Sequence, residues 1–283
     1  MAGAQEKTAL LQLGGQWHQP SGSTPTTHIL KLPLGIVGDL KLDLSHSIEN
    51  EWLCLQLLRA MGLDAAVADM ATFADDVGEE RVLVVERFDR EWRDDNTWIA
   101  RVPQEDFCQA TGTKPNRKYE NEGGPGISAI AGLLRAGSSP EEDLRLFVLA
   151  QLAYWLLAAL DGHAKNFSVF LRRDGYVLTP LYDVMSAWPV IGHGVNKIPI
   201  QHAKVAMAVK CKTKRYEIDR ISTRHWGCLA AQTGVKFEDM QRLVETVPNA
   251  IATVEANLPK GFPESVWVAI TEGMRSNARI FTS

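Results

Sequence analysis

The first ninety residues alternate between short apolar runs and turn-forming residues, a pattern typical of a β-sheet. The stretch KTALLQLGGQWHQP holds two such runs around Gly14-Gly15 and predicts a β-hairpin. Further short strands are expected at THILKLP and at ERVLVVERFDR. Between them, apolar residues recur at helical spacing through SHSIENEWLCLQLLRAMGL, where we expect Ser47 to cap the helix and Gly62 to end it.

The remainder of the chain is mostly helical in pattern. Pro140-Glu141-Glu142 marks a helix start, and the apolar run that follows predicts a buried helix to Leu160, with Gly162 as its stop. FSVFLRRDGYVL predicts a hairpin around Asp174-Gly175. Two helical patterns, near 237–258 and 264–279, close the sequence. The polar stretch GTKPNRKYENEGGPG is expected to be an exposed loop.

These elements predict an α+β protein with two lobes. The smaller, strand-rich lobe covers residues 1–90 and the larger, mainly helical lobe covers residues 91–283. A chain of 283 residues with 45% apolar side chains is long enough to bury a core in such lobes. Its net charge of −4 excludes the basic footprint of a general nucleic-acid binder.

The expected location is the cytoplasm. The first residues, MAGAQEKTALLQLGG, have neither the basic nor the apolar region of a secretory signal. Cysteine usage agrees, because no C-x-x-C pair is present and reduced thiols are therefore expected. The four cysteines are Cys54, Cys108, Cys211 and Cys228.

Candidate chemistry begins where the most apolar run gives way to the polar stretch DGHAKN. Asp161 and Asn166 have the five-residue separation of the Asp and Asn in a protein-kinase catalytic loop. Asp183 follows in LYDVMS, where kinases carry the magnesium-binding Asp of D-F-G. Lys31 lies on a predicted strand, and Glu51 on the following helix is expected to form an ion pair with it.

Each of these residues also has an ordinary structural explanation. Asp161 could simply end a helix, Lys31 could lie on an exposed strand edge, and Glu51 could face solvent on its helix. Asp183 could cap a turn and His163 could be a packed core histidine. The order and spacing of the whole set favour the kinase interpretation over these alternatives.

The sequence resembles the HipA-like serine/threonine-protein kinase toxins of the HipBA toxin–antitoxin systems, in their C-terminal kinase portion. The resemblance extends from residue 2 to about residue 190. It is carried by AGAQEKTALL, TPTTHILKLP, ENEWLCL, VVERFDR, PQEDFCQ, KYENEGGPG, DGHAKNFSVF and LTPLYDVMSAWPV.

The resemblance implies a role for each residue of the candidate site. Asp161 would be the catalytic Asp that orients a substrate serine, while Asn166 and Asp183 would hold Mg²⁺. Lys31 would contact the α- and β-phosphates of ATP. A phosphate-binding loop is implied at AGAQEKT, which comprises Ala2, Gly3, Ala4, Gln5, Glu6, Lys7 and Thr8.

The adenine of ATP would meet the segment VVERF. Glu86 and Phe88 would offer backbone groups to the base, and Phe88 would also pack on the ring. Gln104 and His163 are further candidates for nucleotide contact.

In this family the kinase phosphorylates a serine of an aminoacyl-tRNA synthetase, glutamyl-tRNA synthetase in particular. That reaction inhibits translation and promotes dormancy and persistence. The implied partner is a HipB-like helix-turn-helix antitoxin, through which operator DNA is bound. Family members also carry an N-terminal subdomain, and an autophosphorylated serine ahead of AGAQEKT. Here Met1 stands directly before Ala2, so both are expected to be missing.

Two other functions stay open at this point. The chain could be a catalytically impaired kinase that acts as a binding component for antitoxin or target. It could also be a kinase-fold phosphotransferase for a small molecule. The basic segment AKVAMAVKCKTKRYEIDRISTRH could contact tRNA or DNA, or form a solvated basic face.

Overall fold

The computed structural model describes residues 5–74, 78–94 and 97–283. The predicted phosphate-loop residues Ala2, Gly3 and Ala4 therefore lie outside the described residues. No helix in the described ranges has the length and hydropathy needed to cross a membrane.

A five-stranded antiparallel sheet dominates the first ninety residues. The predicted hairpin at Gly14-Gly15 is confirmed as its first two strands, and both glycines have positive φ. The strand order is β2-β1-β3-β7-β6. The elements of this region are β1 (Lys7–Leu13), β2 (Gln16–His18), β3 (His28–Lys31), β4 (Gly35–Val37), β5 (Leu42–Leu44), α1 (Ser47–Ala60), β6 (Ala68–Ala74) and β7 (Glu79–Glu86).

Helix α1 follows its predicted range, but the predicted cap is wrong. His46 precedes the helix, and Ser47 is its first residue. The Ser47 hydroxyl accepts a hydrogen bond from the Leu34 backbone N–H at 2.9 Å instead of capping the helix. The hydroxyl thereby ties the start of α1 to the loop that leaves β3.

After residue 90 the chain is mainly helical, with three further small sheets. Helix α4 runs through the interior, and nearly all of its second half is buried. The remaining elements are β8 (Arg90–Arg93), β9 (Trp98–Arg101), β10 (Gln104–Asp106), α2 (Phe107–Ala110), α3 (Ile127–Leu134), α4 (Pro140–Leu157), β11 (Ser168–Arg172), β12 (Gly175–Leu178), β13 (Lys204–Lys210), β14 (Lys214–Glu217), α5 (Thr223–Thr233), α6 (Phe237–Glu245), α7 (Val247–Glu255) and α8 (Glu264–Thr282).

Several helix boundaries differ from the predictions. Helix α4 ends at Leu157 instead of Leu160, because Ala158 takes a left-handed conformation with φ of +48°. The pattern at 237–258 is two helices that meet at Thr246; the second begins at Val247, with Pro248 in its first turn. Helix α5 was not predicted; the basic segment ends within its first turn, at His225, and no helix was assigned to the residues that follow.

The predicted state of the cysteines is wrong for one pair. Cys211 and Cys228 form a disulfide across 17 residues of sequence, whereas Cys54 and Cys108 are free and buried. Cys211 lies in the turn between β13 and β14, and Cys228 lies in α5. Their proximity depends on how the hairpin packs on the helix, which spacing alone does not reveal.

The polar stretch 112–126 is exposed at about half of its positions, as its composition suggested, but it is not exposed throughout. Pro125 and Gly126 at its end are buried, and Tyr119 and Glu120 are half-buried. We call residues 112–126 the tyrosine loop. Its glycines allow close backbone packing, since a Cβ on Gly124 would lie 2.3 Å from the Arg117 carbonyl oxygen.

Candidate active site

Lys31 lies at the centre of the predicted site. It ends β3, opposite Lys7 of β1 and Leu83 of β7, and its side chain is buried. Its Nζ lies 2.6 Å from Glu51 Oε1, so the predicted ion pair is confirmed. A second carboxylate, Asp183 Oδ1, lies 2.7 Å from the same nitrogen.

These contacts fix the charge of the lysine. Burial alone lowers the pKa of the Lys31 ammonium, but the Glu51 and Asp183 carboxylates outweigh it and raise the pKa above its ordinary value. Burial likewise raises the pKa of Asp183, and the Lys31 ammonium outweighs that effect and lowers it. Lys31 is therefore a cation and Asp183 an anion at neutral pH.

The backbone holds Asp183 in place through the segment before it. Leu181 exchanges two hydrogen bonds with residues 64–66, which follow α1: its N–H donates to the Asp64 carbonyl and its carbonyl accepts from the Ala66 N–H. Asp183 itself has a φ of +59°, in the left-handed region. Such conformations persist where neighbouring structure enforces them, and they are concentrated at functional sites.

The catalytic-loop candidates follow the end of α4 directly. The Asp161 carbonyl accepts hydrogen bonds from the His163 N–H and from Asn166 Nδ2, each at 2.8 Å. The Asn166 Nδ2 group thereby stabilises the loop. No hydrogen bond to Asn166 Oδ1 is present among the described residues, so this oxygen is available to a ligand. The Asp161 side chain stays 44% exposed.

Gly162 has a different role from the predicted helix stop. The helix has already ended at Leu157, and a Cβ on Gly162 would lie 2.4 Å from the Tyr154 ring. Only a glycine lets the catalytic loop approach α4 this closely.

Tyr119 contacts the site, although sequence reasoning gave it no role. Its hydroxyl donates a hydrogen bond to Asp161 Oδ1. Burial and this bond raise the pKa of the Tyr119 phenol, so that it stays a protonated donor. The only signal in the sequence was its position in KYENEGGPG, one of the stretches that carries the family resemblance.

His163 is not among the residues that line the cavity beside Lys31. Its side chain is fully buried, and its ring lies nearly perpendicular to the Tyr119 ring at 5.1 Å between centroids. Burial lowers the pKa of the imidazole, while Asp161, 3.7 Å from its Nε2, opposes that shift. The predicted nucleotide contact of His163 stays a prediction.

A cavity of about 190 Å³ opens between the sheet and the larger lobe. The cavity is lined both by Lys31, Glu51 and Asp183 and by the predicted adenine-binding segment. Its lining residues are Lys7, Ile29, Lys31, Glu51, Val85, Glu86, Arg87, Phe88, Asp89, Gln104, Tyr182 and Asp183.

Two polar groups at this cavity have no hydrogen-bond partner among the described residues. Gln104 Oε1 is buried and accepts no hydrogen bond from any described residue. In the same described part of the chain, no hydrogen bond involves the Phe88 N–H. The Phe88 ring packs against Phe170 and Tyr182, at 5.7 and 5.6 Å between centroids. Buried polar groups are normally paired, so the buried Gln104 Oε1 is suited to a ligand. The Phe88 N–H offers a donor at the same cavity.

The described end of the phosphate loop runs beside β3. Gln5 Nε2 donates to the Leu32 carbonyl at 2.7 Å, and the Leu32 N–H donates to the Glu6 carbonyl at 3.0 Å. Lys7 lines the cavity and Thr8 pairs with Leu30 in the sheet. Residues 5–8 of the predicted loop therefore lie next to Lys31, as a phosphate-binding segment would have to.

A larger cavity, about 580 Å³, lies between the start of α4 and the end of α5. It contains none of the predicted site residues. We place the candidate site in the smaller cavity, because only that one contains Lys31 and Asp183.

The fold and this site together define a kinase-like protein. Residues 1–255 match a family model described as the HipA-like C-terminal domain. The chain belongs to this family. The predicted α+β, two-lobed kinase-like fold is confirmed by the solved structures that it resembles.

Curated relatives bear kinase names. A Sinorhizobium fredii protein named "Putative kinase Y4mE" is 33% identical over 261 residues, which cover 90% of this chain and 56% of that protein. The serine/threonine-protein kinase toxin HipA of Shewanella oneidensis is 26% identical over 279 residues, or 92% of this chain and 58% of that toxin. The chain thus spans little more than half the length of these relatives.

Two solved structures share the fold. HipA in the Shewanella oneidensis complex with HipB and operator DNA has a TM-score of 0.82 at 22% identity, covering 99% of this chain and 64% of that one. The Helicobacter pylori proinflammatory kinase CtkA has a TM-score of 0.55 at 12% identity, covering 96% and 90%.

Proposed function

We propose that this chain is the catalytic part of a HipA-like serine/threonine protein kinase that transfers the γ-phosphate of ATP to a protein hydroxyl. The observation that carries the proposal is the Lys31 ammonium held between Glu51 and Asp183 at the end of a cavity. A lysine paired with a helix glutamate beside a metal-binding aspartate is the arrangement that positions ATP phosphates in protein kinases.

The cavity offers complementary groups along its length. Ile29, Val85 and Phe88 form apolar walls for a purine, and the Phe88 N–H can donate to its edge. The Gln104 Oε1 acceptor can bind a hydroxyl or amino group of the nucleoside. The phosphates would then reach Lys31 and Lys7, the two cations of the lining nearest the candidate phosphate loop.

The donor set fits magnesium held jointly with phosphate. In the described ranges, no three His, Cys, Asp or Glu side chains gather as a metal site of their own. Asp183 and Asn166 would supply one carboxylate and one amide oxygen, and Mg²⁺ in kinase sites is usually bound through few protein groups plus phosphate oxygens. When bound, the ion neutralises phosphate charge.

Asp161 would handle the proton of the acceptor. A substrate hydroxyl oxygen forms a bond to the γ-phosphorus while the bond from that phosphorus to the bridging oxygen breaks, and ADP leaves. The hydroxyl proton passes to the Asp161 carboxylate, whose partial exposure admits a protein substrate.

The family suggests the substrate and partners. We assign a serine of an aminoacyl-tRNA synthetase as the acceptor, glutamyl-tRNA synthetase first, with inhibited translation and persistence as the outcome. A HipB-like antitoxin, and operator DNA through it, are the proposed partners, since the related Shewanella HipA is found in such a complex. The proposed location is the cytoplasm, where synthetases act.

The test is transfer of label from γ-labelled ATP, with Mg²⁺, to a panel of purified synthetases. We expect wild-type transfer to be lost in Asp161→Asn. Asp174→Asn is the matched control, because Asp174 lies in the exposed turn between β11 and β12. Equal transfer by wild type and Asp161→Asn would contradict the mechanism. ATP binding without any transfer would favour the binding-component alternative.

A further inference from the structure

The tyrosine loop places one phenol against the carboxylate of the candidate catalytic loop. The Tyr119 hydroxyl donates to Asp161 Oδ1, and the Tyr119 ring stands edge-on to His163 with an interplanar angle of 80°. The Lys118 ammonium lies 5.0 Å from the centre of the ring. The Tyr119 hydroxyl thus contacts Asp161, and the Tyr119 ring contacts Lys118 and His163.

The backbone around Tyr119 is also fixed. Its carbonyl accepts hydrogen bonds from the Glu122 and Gly124 N–H groups at 3.1 and 2.8 Å. The carbonyl of Lys118 accepts from the Ala164 N–H, which joins the tyrosine loop directly to the catalytic loop. A change in the position of either loop would therefore disturb the other.

The neighbouring Glu120 anchors the loop on its far side. Its Oε1 lies 2.7 Å from Lys214 Nζ, and its Oε2 accepts from the Ala208 N–H at 2.6 Å. A Cβ on Gly126 would lie 2.3 Å from the Glu120 carboxyl carbon, so the close packing requires glycine there. The hairpin β13–β14 thus holds the loop against the site.

Asp161 keeps one carboxylate oxygen free of such contacts. Tyr119 binds Oδ1, and within the described residues no hydrogen bond reaches Oδ2. The carbonyl of Asp161 is held by His163 and Asn166. The carboxylate therefore has one oxygen fixed by the protein and one that can meet an acceptor from the cleft.

We propose that Tyr119 is a positioning residue that holds the Asp161 carboxylate through Oδ1 and presents Oδ2 to the substrate hydroxyl. The inference rests on the proposed kinase function. As the acceptor oxygen bonds to the γ-phosphorus and ADP leaves, Oδ2 takes the acceptor proton. Tyr119 keeps its own proton and its hydrogen bond throughout.

If Tyr119 were instead a gate that blocks Asp161, loss of its hydroxyl would have the opposite effect on the rate. If Tyr119 occupied the place of the substrate hydroxyl, it would have to leave before transfer, and removing its hydroxyl would speed the reaction. The anchored loop and the free Oδ2 favour a fixed support, whose removal slows the reaction. Whether removal of the Tyr119 hydroxyl slows or speeds the reaction therefore distinguishes a fixed support from a gate.

The experiment is Tyr119→Phe in this chain, with kcat and the ATP KM measured in the label-transfer assay. The variant keeps the ring against His163 and Lys118 and deletes only the hydroxyl. We expect kcat to fall about ten- to a hundredfold, the effect of one lost hydrogen bond to a charged group, with ATP KM and the affinity for an ATP analogue within about twofold. An unchanged or increased kcat would overturn the proposal.

Tyr176→Phe is the matched control. It also deletes a phenol oxygen that donates a hydrogen bond, in this case to the Leu133 carbonyl at 2.6 Å and away from the site. We expect its kcat to equal that of wild type. If both variants lose kcat and unfold alike in urea, Tyr119 acts through stability and the positioning role is refuted.

Asp161→Asn separates this inference from the proposed function. If Asp161→Asn retains transfer, the proposed mechanism fails and the inference fails with it. If Asp161→Asn abolishes transfer while Tyr119→Phe has no effect, the kinase function stands and only the inference fails. The unfolding equilibria of both single variants and the double variant supply a readout without catalysis. A coupling of about three- to tenfold is expected, and additive effects would refute the Tyr119–Asp161 bond.

Discussion

The two sides of the candidate site differ in how they are built. On the nucleotide side, Lys31 is buried and paired with two carboxylates from distant parts of the chain, and the cavity beside it has apolar walls. On the acceptor side, Asp161 is partly exposed and is held by loops, through Tyr119 and Asn166. The nucleotide side is therefore built around a buried cluster of ion pairs, whereas the acceptor side is built from hydrogen bonds between loops.

This difference has a physical reason. ATP presents the same phosphates in every turnover, and a fixed cation in a region of low dielectric stabilises them without reorganising. In the proposed reaction a protein acceptor must reach Asp161 from solvent, so this carboxylate cannot be buried in the same way. Loops that are anchored at several points can hold such an exposed group.

The largest expected effect comes from the nucleotide side. Lys31→Met removes the ammonium and leaves Glu51 buried without its partner, so we expect label transfer to fall at least about a hundredfold. Breaking a buried pair on one side costs about 3–5 kcal/mol, so the free energy of unfolding in urea should also fall.

The comparison variant for Lys31 lies in the turn between β4 and β5. Lys41→Met removes an exposed lysine for which no ion pair is present in the described residues. It should change neither transfer nor the unfolding free energy. Transfer that survives in Lys31→Met would show that the charged centre does not serve the nucleotide.

On the acceptor side, Gly162→Ala should loosen the support of Asp161. The added methyl group would lie 2.4 Å from the Tyr154 ring, and forced overpacking costs about 1–3 kcal/mol. We expect a lower urea midpoint and slower transfer, while the affinity for an ATP analogue stays unchanged.

Gly132→Ala provides the matched control for that substitution. Gly132 lies inside α3 with open space around it, so alanine there should stabilise the protein by about 0.5–1 kcal/mol through helix propensity. If Gly162→Ala behaved like Gly132→Ala, the close approach of the catalytic loop to α4 would be refuted.

The two sides also differ in how far the sequence predicted them. The Lys31–Glu51 pair could be predicted, because a strand lysine and a helix glutamate occur at a known separation. The Lys31–Asp183 contact and the Tyr119–Asp161 bond join residues 152 and 42 positions apart, and no periodic pattern encodes such contacts.

Two features that the sequence did not predict share one cause. The tyrosine loop has the composition of an exposed loop, yet Glu120 and the close-packed Gly124 hold it against the larger lobe. Similarly, the Cys211–Cys228 disulfide depends on hairpin β13–β14 lying beside α5. Strands, the hairpins and α1 follow local patterns, whereas these features depend on tertiary packing.

A smaller effect is expected from a substitution of Gln104, whose buried side-chain oxygen lies on the nucleotide side. Without nucleotide its Oε1 has no partner in the described chain, so Gln104→Leu should leave the unfolding free energy unchanged or raise it slightly. With nucleotide it should raise the ATP KM, by about threefold to tenfold, through one lost hydrogen bond. A variant that lost stability without nucleotide, with an unchanged ATP KM, would show that Gln104 is structural.

The smallest effect should appear in the pH dependence of stability. Lys31 lowers the pKa of Asp183 below its ordinary value of 3.8, so the unfolded chain binds the proton more tightly than the folded one. The resulting stabilisation is complete above pH 3.8 and is lost as the pH falls through the lower folded pKa. Asp183→Asn should therefore flatten the decline in urea stability in this acid range, whereas Asp174→Asn should not. Equal slopes for both variants would mean that the Lys31–Asp183 pair does not persist in solution, and that the nucleotide side is not held by this ion pair.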